Sequence, residues 1–160
     1  MSPKSTYMNR ILTLDPSGTS KTGYFYFENW NNWEIGIIEG KNYLEHAKNI
    51  ENLLKNKEVK ILVWETSYFW KTSKAQKDLQ ELVYLNGVLG YLADKYNCQT
   101  QTILNHSVLE VAKSQEIEGL VKSNGNYVFK DKIISIHERD ALIVFWIYWV
   151  RILKKEWPFI

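Results

Sequence analysis

The sequence predicts an α/β fold in which helices flank a mixed five-stranded sheet. Three short strands follow one another near the N-terminus, separated by brief turns, which is typical of an antiparallel meander. Helical and strand-like segments then alternate, which favours parallel pairing of the later strands. Because 45% of the 160 residues are hydrophobic, the chain can bury a sizeable core, and we expect a single domain spanning residues 1–160.

The predicted strands are apolar runs bounded by turn residues. They are expected at residues 10–15, 23–28, 33–39, 59–65 and 99–104. The first strand stops at Pro16, which cannot donate a ladder hydrogen bond. The fourth strand is almost continuously apolar, as buried parallel strands are.

Helical periodicity predicts four helices, at residues 43–54, 75–96, 107–113 and 135–155. The second helix is expected to turn these residues inward: Leu79, Leu82, Val83, Leu89, Leu92 and Ala93. Residues 114–132 are polar, contain two glycines and predict a loop. The last helix contains Phe145 to Trp149 and is apolar almost all round, which predicts burial, in part against a second subunit.

Composition excludes some classes of protein and leaves others open. The 20 basic and 18 acidic residues give a net charge of +2, which does not by itself favour a nucleic-acid partner. The single Cys98 excludes an intramolecular disulfide and a multi-cysteine zinc site. The longest apolar run, Ala141 to Val150, is far shorter than the ~20 residues of a membrane span. We therefore expect a cytoplasmic protein without a membrane partner.

Three acidic residues stand at the ends of predicted elements. Asp15 and Glu65 each end an apolar strand, and Asp140 follows His137 by one helical turn. If the two strands are parallel neighbours, both carboxylates emerge at the same edge of the sheet. Clustered carboxylates repel one another, so they favour a compensating cation such as a pair of Mg²⁺ ions, which prefer oxygen ligands.

Each of these acids also has a purely structural interpretation. Asp15 can be a turn residue, and Glu65 can cap the turn that follows it. Glu138 is expected to face solvent and to stabilise the helix dipole. Arg139 can contact a phosphate or pair with an acid. Only the joint occurrence of three acids at suitable ends favours a metal centre.

The motifs around these acids resemble those of RuvC-type Holliday junction resolvases, which belong to the ribonuclease H-like superfamily. Leu-Thr-Leu-Asp15-Pro resembles the first motif of that family, and Val-Trp-Glu65 resembles the second. His137-x-x-Asp140-Ala-Leu resembles the third. The likeness spans about residues 11–150. The longer first loop and the weakly matching residues 113–132 are departures, which fit a structure-selective enzyme such as a phage-type member.

The resemblance implies a homodimer that binds a four-way DNA junction and nicks two strands symmetrically, in a bacterial cell or a phage-infected host. It implies that Asp15, Glu65, His137 and Asp140 are catalytic and bind two Mg²⁺ ions, with Mn²⁺ as a possible substitute. An aromatic cluster is expected to contact junction bases: Tyr68, Phe69 and Trp70. Lysines are candidate phosphate contacts: Lys71, Lys74, Lys77, Lys113 and Lys132, with Lys122 and Lys130 behind them.

Three other functions remain open at this point. Asp15-Pro-Ser-Gly-Thr also resembles the phosphate loop of actin-like ATPases, but those enzymes need two such domains. A second alternative is another ribonuclease H-like nuclease that acts on RNA or on RNA–DNA hybrids. A third is a non-catalytic module that binds DNA junctions. Substrate preference separates the nucleases, and an Asp15→Asn variant separates an enzyme from a binding module.

Overall fold

The computed structural model describes residues 9–67 and 76–159. In these residues, one mixed sheet has the strand order β3-β2-β1-β4-β5. Its strands are β1 (Ile11–Asp15), β2 (Lys21–Asn29), β3 (Asn32–Glu39), β4 (Ile61–Thr66) and β5 (Gln99–Leu104). Pairing is antiparallel between β1, β2 and β3, and parallel between β1, β4 and β5. The predicted fold class is therefore confirmed.

Helices cover both faces of this sheet. One face is covered by α1 (Tyr43–Asn56) and α2 (Gln76–Lys95), and the other by α3 (Asn105–Ser114) and α4 (Ile136–Trp146). A π-helical segment, Ile147–Ile152, continues α4. Among the described residues, no helix is both long and apolar enough to span a membrane.

The last helix is the centre of the larger core. Every residue from Ala141 to Trp149 is buried. The ring of Phe145 lies 4.9 Å from that of Phe25 and 4.8 Å from that of Phe27, both on β2. The chain itself thus buries the apolar surface of this helix, so its composition is not an argument for a second subunit.

Residues 114–132 are not the loop that their polarity predicts. Much of this segment belongs to a three-stranded antiparallel meander of β6 (Leu120–Ser123), β7 (Asn126–Phe129) and β8 (Lys132–Ile134). Phe129 and Ile134 are buried in the core and hold the meander against the main sheet. Most of its other residues are exposed, so the polar composition reflects a surface sheet and not an absence of structure.

The buried stripe of α2 confirms the prediction at Leu89, Leu92 and Ala93 and contradicts it at Val83. Val83, expected to point inward, is 41% exposed, whereas Leu85 is fully buried. Leu85, Leu89 and Leu92 follow at spacings of four and three residues and form the buried stripe. The sequence offers several apolar stripes on this helix, and the surface of the sheet selects one of them.

A capping box defines the start of α4. The Ser135 hydroxyl accepts a hydrogen bond from Glu138 N, and the Glu138 carboxylate accepts one from Ser135 N. Glu138 is only 8% exposed, so the prediction that it faces solvent is wrong. The cap matters to the candidate site because His137 and Asp140 lie in the first turns of this helix.

Ser135→Ala is expected to lower the free energy of unfolding by about 1 kcal/mol, because it leaves the amide of Glu138 without its capping acceptor. Urea denaturation of the variant and the wild type measures this change. Ser123→Ala, at an exposed position of β6, is the matched control and should change stability by less than about 0.5 kcal/mol. Equal effects of both substitutions would contradict a specific role for the cap.

Candidate metal centre

Three carboxylates from three different elements meet at one edge of the sheet. Asp15 is the last residue of β1, Glu65 is the penultimate residue of β4, and Asp140 projects from α4. One oxygen from each carboxylate lies within 4.8 Å of the others. The structure therefore brings together the three acids that the sequence singles out.

The parallel pairing of β1 and β4 accounts for two of the three positions. Thr13 lies opposite Val63 in the register, and Asp15 and Glu65 each follow two residues later. Side chains two residues apart point to the same face of a strand. Thr13 and Val63 both lie on the face covered by α4, and the Thr13 hydroxyl donates a 2.7 Å hydrogen bond to Ala141 O. Asp15 and Glu65 therefore point toward the start of α4.

A glycine on β2 allows α4 to approach the sheet. Gly23 is paired with Asp15. A Cβ atom at this position would overlap the carbonyl group of His137 and would lie 2.9 Å from Glu138 N. Only glycine leaves room for the helix backbone here. The residue beside Asp15 in the sheet thus determines how close Asp140 can come.

Arg139 holds Asp140 in place. Its Nε and Nη2 atoms donate hydrogen bonds of 2.9 and 2.6 Å to Asp140 Oδ1, and its Nη1 donates one of 2.8 Å to the Tyr127 hydroxyl. Burial, and then the charge of Asp15, raise the pKa of Asp140, while Arg139 opposes the rise. Of the two sequence-based interpretations of Arg139, the structure supports pairing with an acid.

His137 lies beside Asp15 on the solvent side of the cluster. Its Nδ1 is 3.4 Å from Asp15 Oδ2. The hydrogen bond to Asp15 raises the pKa of His137, and partial burial offsets only part of that rise. His137 and Asp140 lie three residues apart on α4, so both face the same carboxylate of β1.

Asn105 is a site residue that the sequence interpretation missed. Its Nδ2 donates a 2.7 Å hydrogen bond to Glu65 Oε1. Asn105 follows directly after β5, the parallel neighbour of β4. The rule that singles out Asp15 and Glu65, a polar residue at the end of a parallel strand, could have found it.

His46 was also missed, and it supports the loop after Asp15. It is fully buried, with Nδ1 2.9 Å from the Thr22 hydroxyl and Nε2 3.0 Å from Gly40 O. Thr22 Oγ1 in turn accepts a hydrogen bond from Ser17 N. Burial lowers the pKa of His46, so the neutral ring is favoured. No local signal marks this histidine, because its partners come from other elements.

Comparison with known proteins places this geometry in a known fold. No protein-family model and no curated protein matches the sequence. Two solved structures of Thermus thermophilus RuvC match in three dimensions. The structure in complex with a Holliday junction substrate has a TM-score of 0.58 at 9% identity and covers 84% of this chain and 88% of that chain. The other has a TM-score of 0.56 at 12% identity, with coverages of 84% and 89%.

The chain has the fold of RuvC. This result confirms the ribonuclease H-like architecture that the three motifs predict. Sequence identities of 9% and 12% are too low to carry residue roles from RuvC to this chain.

The predicted DNA contacts fall in different parts of this RuvC fold. Five of them lie outside the described residues: Tyr68, Phe69, Trp70, Lys71 and Lys74. Lys77 is exposed near the start of α2, and Lys113 is exposed near the end of α3. Lys132 is exposed, but its Nζ donates a 3.3 Å hydrogen bond to Ile35 O. Lys130 lies over the ring of Phe159.

The three carboxylates fit a hard divalent cation. Oxygens bound to one Mg²⁺ at 2.0–2.1 Å lie at most about 4.2 Å apart. The spacing within 4.8 Å therefore requires only small side-chain rotations. Burial, and then the charge of Asp15, raise the pKa of Asp140 despite the opposing effect of Arg139, so the ionised carboxylate is costly in this cluster. A divalent cation would offset that cost.

His137→Gln is expected to weaken the pH dependence of divalent-cation binding. Below the raised pKa of His137, the imidazolium beside Asp15 repels a cation, and this repulsion disappears as the pH rises through that pKa. Wild-type affinity should therefore increase with pH below this pKa, by at most about tenfold per pH unit. The stability of the metal-free protein changes with pH in the opposite direction. Protonated His137 stabilises the metal-free protein through its contact with Asp15, and this contribution is lost as the pH rises through the raised pKa.

Calorimetric titration with Mn²⁺ at several pH values tests this expectation. His106→Gln is the matched control, because His106 is exposed on α3 and has no part in the carboxylate cluster. The expectation is wrong if His137→Gln and the wild type show the same change of affinity with pH.

Proposed function

We propose that this protein is a divalent-metal-dependent endonuclease that resolves four-way DNA junctions by hydrolysing phosphodiester bonds. The observation that carries the proposal is the cluster of Asp15, Glu65 and Asp140 within 4.8 Å, on the RuvC fold. A metal-dependent hydrolase of phosphodiesters needs an anionic pocket that holds divalent cations beside the substrate. A junction is the substrate with which one of the two matched RuvC structures was solved.

In this proposal, Asp15, Glu65 and Asp140 bind one or two Mg²⁺ ions, and His137 lies next to them. When bound, the cations supply Lewis acidity toward the phosphate and lower the pKa of water. Arg139 restrains Asp140 Oδ1 through two hydrogen bonds, and Asn105 restrains Glu65 Oε1. These bonds limit carboxylate rotation, so the ligand atoms are held close to their binding geometry.

His137 is the candidate proton acceptor. Its contact with Asp15 raises its pKa, which makes the neutral imidazole a stronger base. A base of this kind suits the uptake of the proton that water loses when it attacks a phosphodiester.

Symmetric resolution requires two active sites on one junction, so we propose that the working unit is a homodimer. A twofold-symmetric dimer matches the approximate twofold symmetry of a four-way junction. Light scattering of the free protein and of its junction complex measures the number of subunits.

The test of function uses a supercoiled plasmid that extrudes a cruciform, incubated with Mg²⁺, Mn²⁺ or EDTA. Paired nicks across the junction yield linear plasmid. A single nick relaxes the plasmid, the cruciform is reabsorbed, and open circles accumulate. We expect linear product with Mg²⁺ and none with EDTA. An end-labelled linear duplex and an RNA–DNA hybrid serve as comparison substrates.

The comparison substrates and the metals distinguish the alternative functions. If the hybrid is cut faster than the junction, the protein is a nuclease of a different specificity. If the junction binds but is not cut with either metal, the protein is a junction-binding module and the proposed hydrolysis is wrong.

A further inference from the structure

A cavity of about 350 Å³ lies between α3 and the β6–β7 hairpin. Its walls are apolar: Val111, Ala112, Ile117 and Leu120. This size lies within the range of sites that bind small molecules and cofactors. The cavity is separate from the three carboxylates, and neither the sequence motifs nor the proposed chemistry assigns a role to it.

The cavity carries positive charge. Among its lining residues that the structure describes, the charged ones are Lys113, Lys122 and Arg139, and all three are cationic. The ring of Tyr127 is also part of the wall, with Arg139 4.7 Å and Lys122 5.7 Å from its centroid. The combination of apolar walls and basic groups fits a ligand with a flat apolar part and an anionic part.

Two exposed apolar side chains line the same cavity. Val121 is 54% exposed and Leu109 is 45% exposed. Such apolar surface next to an aromatic ring and cationic side chains suits a nucleotide, because a base packs on the ring and on apolar atoms while its phosphate pairs with lysine or arginine.

Arg139 connects this cavity to the candidate metal centre. It lines the cavity, its guanidinium donates two hydrogen bonds to Asp140 Oδ1, and a third reaches the Tyr127 hydroxyl. A ligand in the cavity would therefore lie one side chain away from a carboxylate of the metal centre. The strand being cut is a ligand that must come this close to the reacting phosphate.

We propose that the cavity between α3 and the β6–β7 hairpin binds a nucleotide of the cut DNA strand, close to the scissile phosphodiester. The base packs in the apolar part beside Tyr127, and Lys113 and Lys122 contact the flanking phosphates. This inference rests on the proposed nuclease function. It assigns to the meander a role in positioning the substrate.

The first test maps the contact without requiring cleavage. A short single-stranded oligonucleotide with one photoreactive iodouracil is irradiated with the wild-type protein in EDTA. Mass spectrometry then identifies the crosslinked peptide. We expect a crosslink within residues 109–127, with Tyr127 as the aromatic residue of the cavity wall. Crosslinks confined to other parts of the chain would overturn the inference.

The second test measures affinity for the same oligonucleotide by fluorescence anisotropy. Lys122→Glu and Val121→Glu should each weaken binding about tenfold, because a carboxylate at the cavity repels the strand. Ile133→Glu is the control for Val121→Glu, since Ile133 is 66% exposed on the same meander but outside the cavity lining. Lys48→Glu, exposed on α1, is the control for the charge reversal. Both controls should stay within about twofold of the wild type.

Junction cleavage measured in parallel separates this inference from the proposed function. Normal cleavage by Lys122→Glu and Val121→Glu, together with unchanged affinity, would overturn the cavity assignment and leave the nuclease proposal intact. A crosslink in the cavity of a protein that cuts no substrate would support the nucleotide site and contradict the nuclease proposal. If Val121→Glu changes only the subunit number, the cavity is a protein interface, and the inference is wrong.

Discussion

Asp140→Asn is expected to lower the rate of junction cleavage by about 10³-fold or more, with junction affinity changed by less than about threefold. The amide keeps the shape of the side chain and can still accept the hydrogen bonds of Arg139 through Oδ1. It removes the negative charge that a divalent cation needs. The loss should therefore fall on the chemical step and not on DNA binding.

The stability of the metal-free protein provides a second readout of the same variant. The raised pKa of Asp140 means that its ionised form is less stable in the folded protein than in the unfolded chain. At neutral pH, replacement by a neutral amide removes this cost, so the unfolding temperature without metal should not fall. The increase in unfolding temperature on adding Mn²⁺ should shrink, because the added ion binds more weakly.

Asp94→Asn is the matched control for this charge removal. Asp94 is exposed on α2, on the face of the sheet opposite α4. Its variant should keep wild-type cleavage and the wild-type response to Mn²⁺. If Asp140→Asn cuts junctions at a rate within about tenfold of the wild type, Asp140 is not a metal ligand for catalysis.

Gly23→Ala is expected to destabilise the protein by about 3 kcal/mol or more, at the upper end of the cost of overpacking. The added methyl group would overlap the carbonyl group of His137 and crowd Glu138 N. Either β2 or the start of α4 must move. Total stabilities of about 5–15 kcal/mol are typical, so this one methyl group would remove a large part of the total. Guanidinium denaturation measures the loss.

Gly87→Ala is the control, and its effect should have the opposite sign. A Cβ atom at Gly87 would have nothing within 4 Å, and Gly87 lies within α2. Alanine in a helix is more favourable than glycine by about 0.5–1 kcal/mol. If Gly23→Ala is as stable as Gly87→Ala, α4 does not depend on close contact with β2.

Those Gly23→Ala molecules that still fold should also cleave junctions more slowly than the wild type. The start of α4 carries both His137 and Asp140, so displacement of this helix moves them away from Asp15 and Glu65. A folded variant with wild-type cleavage would contradict this link between packing and chemistry.

Local sequence patterns were sufficient to predict the main sheet and the three acids. The short apolar runs of β1 and β4 are properties of local segments, and a residue that ends a strand can be identified from its neighbours alone. Parallel strands bring such ends to one edge whatever the rest of the chain does. Asp15 and Glu65 could thus be paired from the sequence.

The β6–β7 hairpin of the meander has a local sequence signal in its turn. Asn124 and Gly125 both have positive φ, 52° and 81°, and connect β6 to β7. An Asn-Gly pair between strands is a strong hairpin signal. The second turn, at Lys130 and Asp131, has φ of 51° and 64° without a glycine, so its sequence carries no comparable signal.

The sequence by itself determined the order of the main-sheet strands along the chain, the fold class and the candidate ligands, because each depends on periodicity or on position within one element. Only the tertiary structure decided that Arg139 pairs with Asp140, that Asn105 contacts Glu65, and that Gly23 admits α4. Asn105 and Gly23 contact residues of other elements, and Arg139 could have contacted a phosphate instead of Asp140. Local sequence does not distinguish these alternatives, and only the packed fold selects among them.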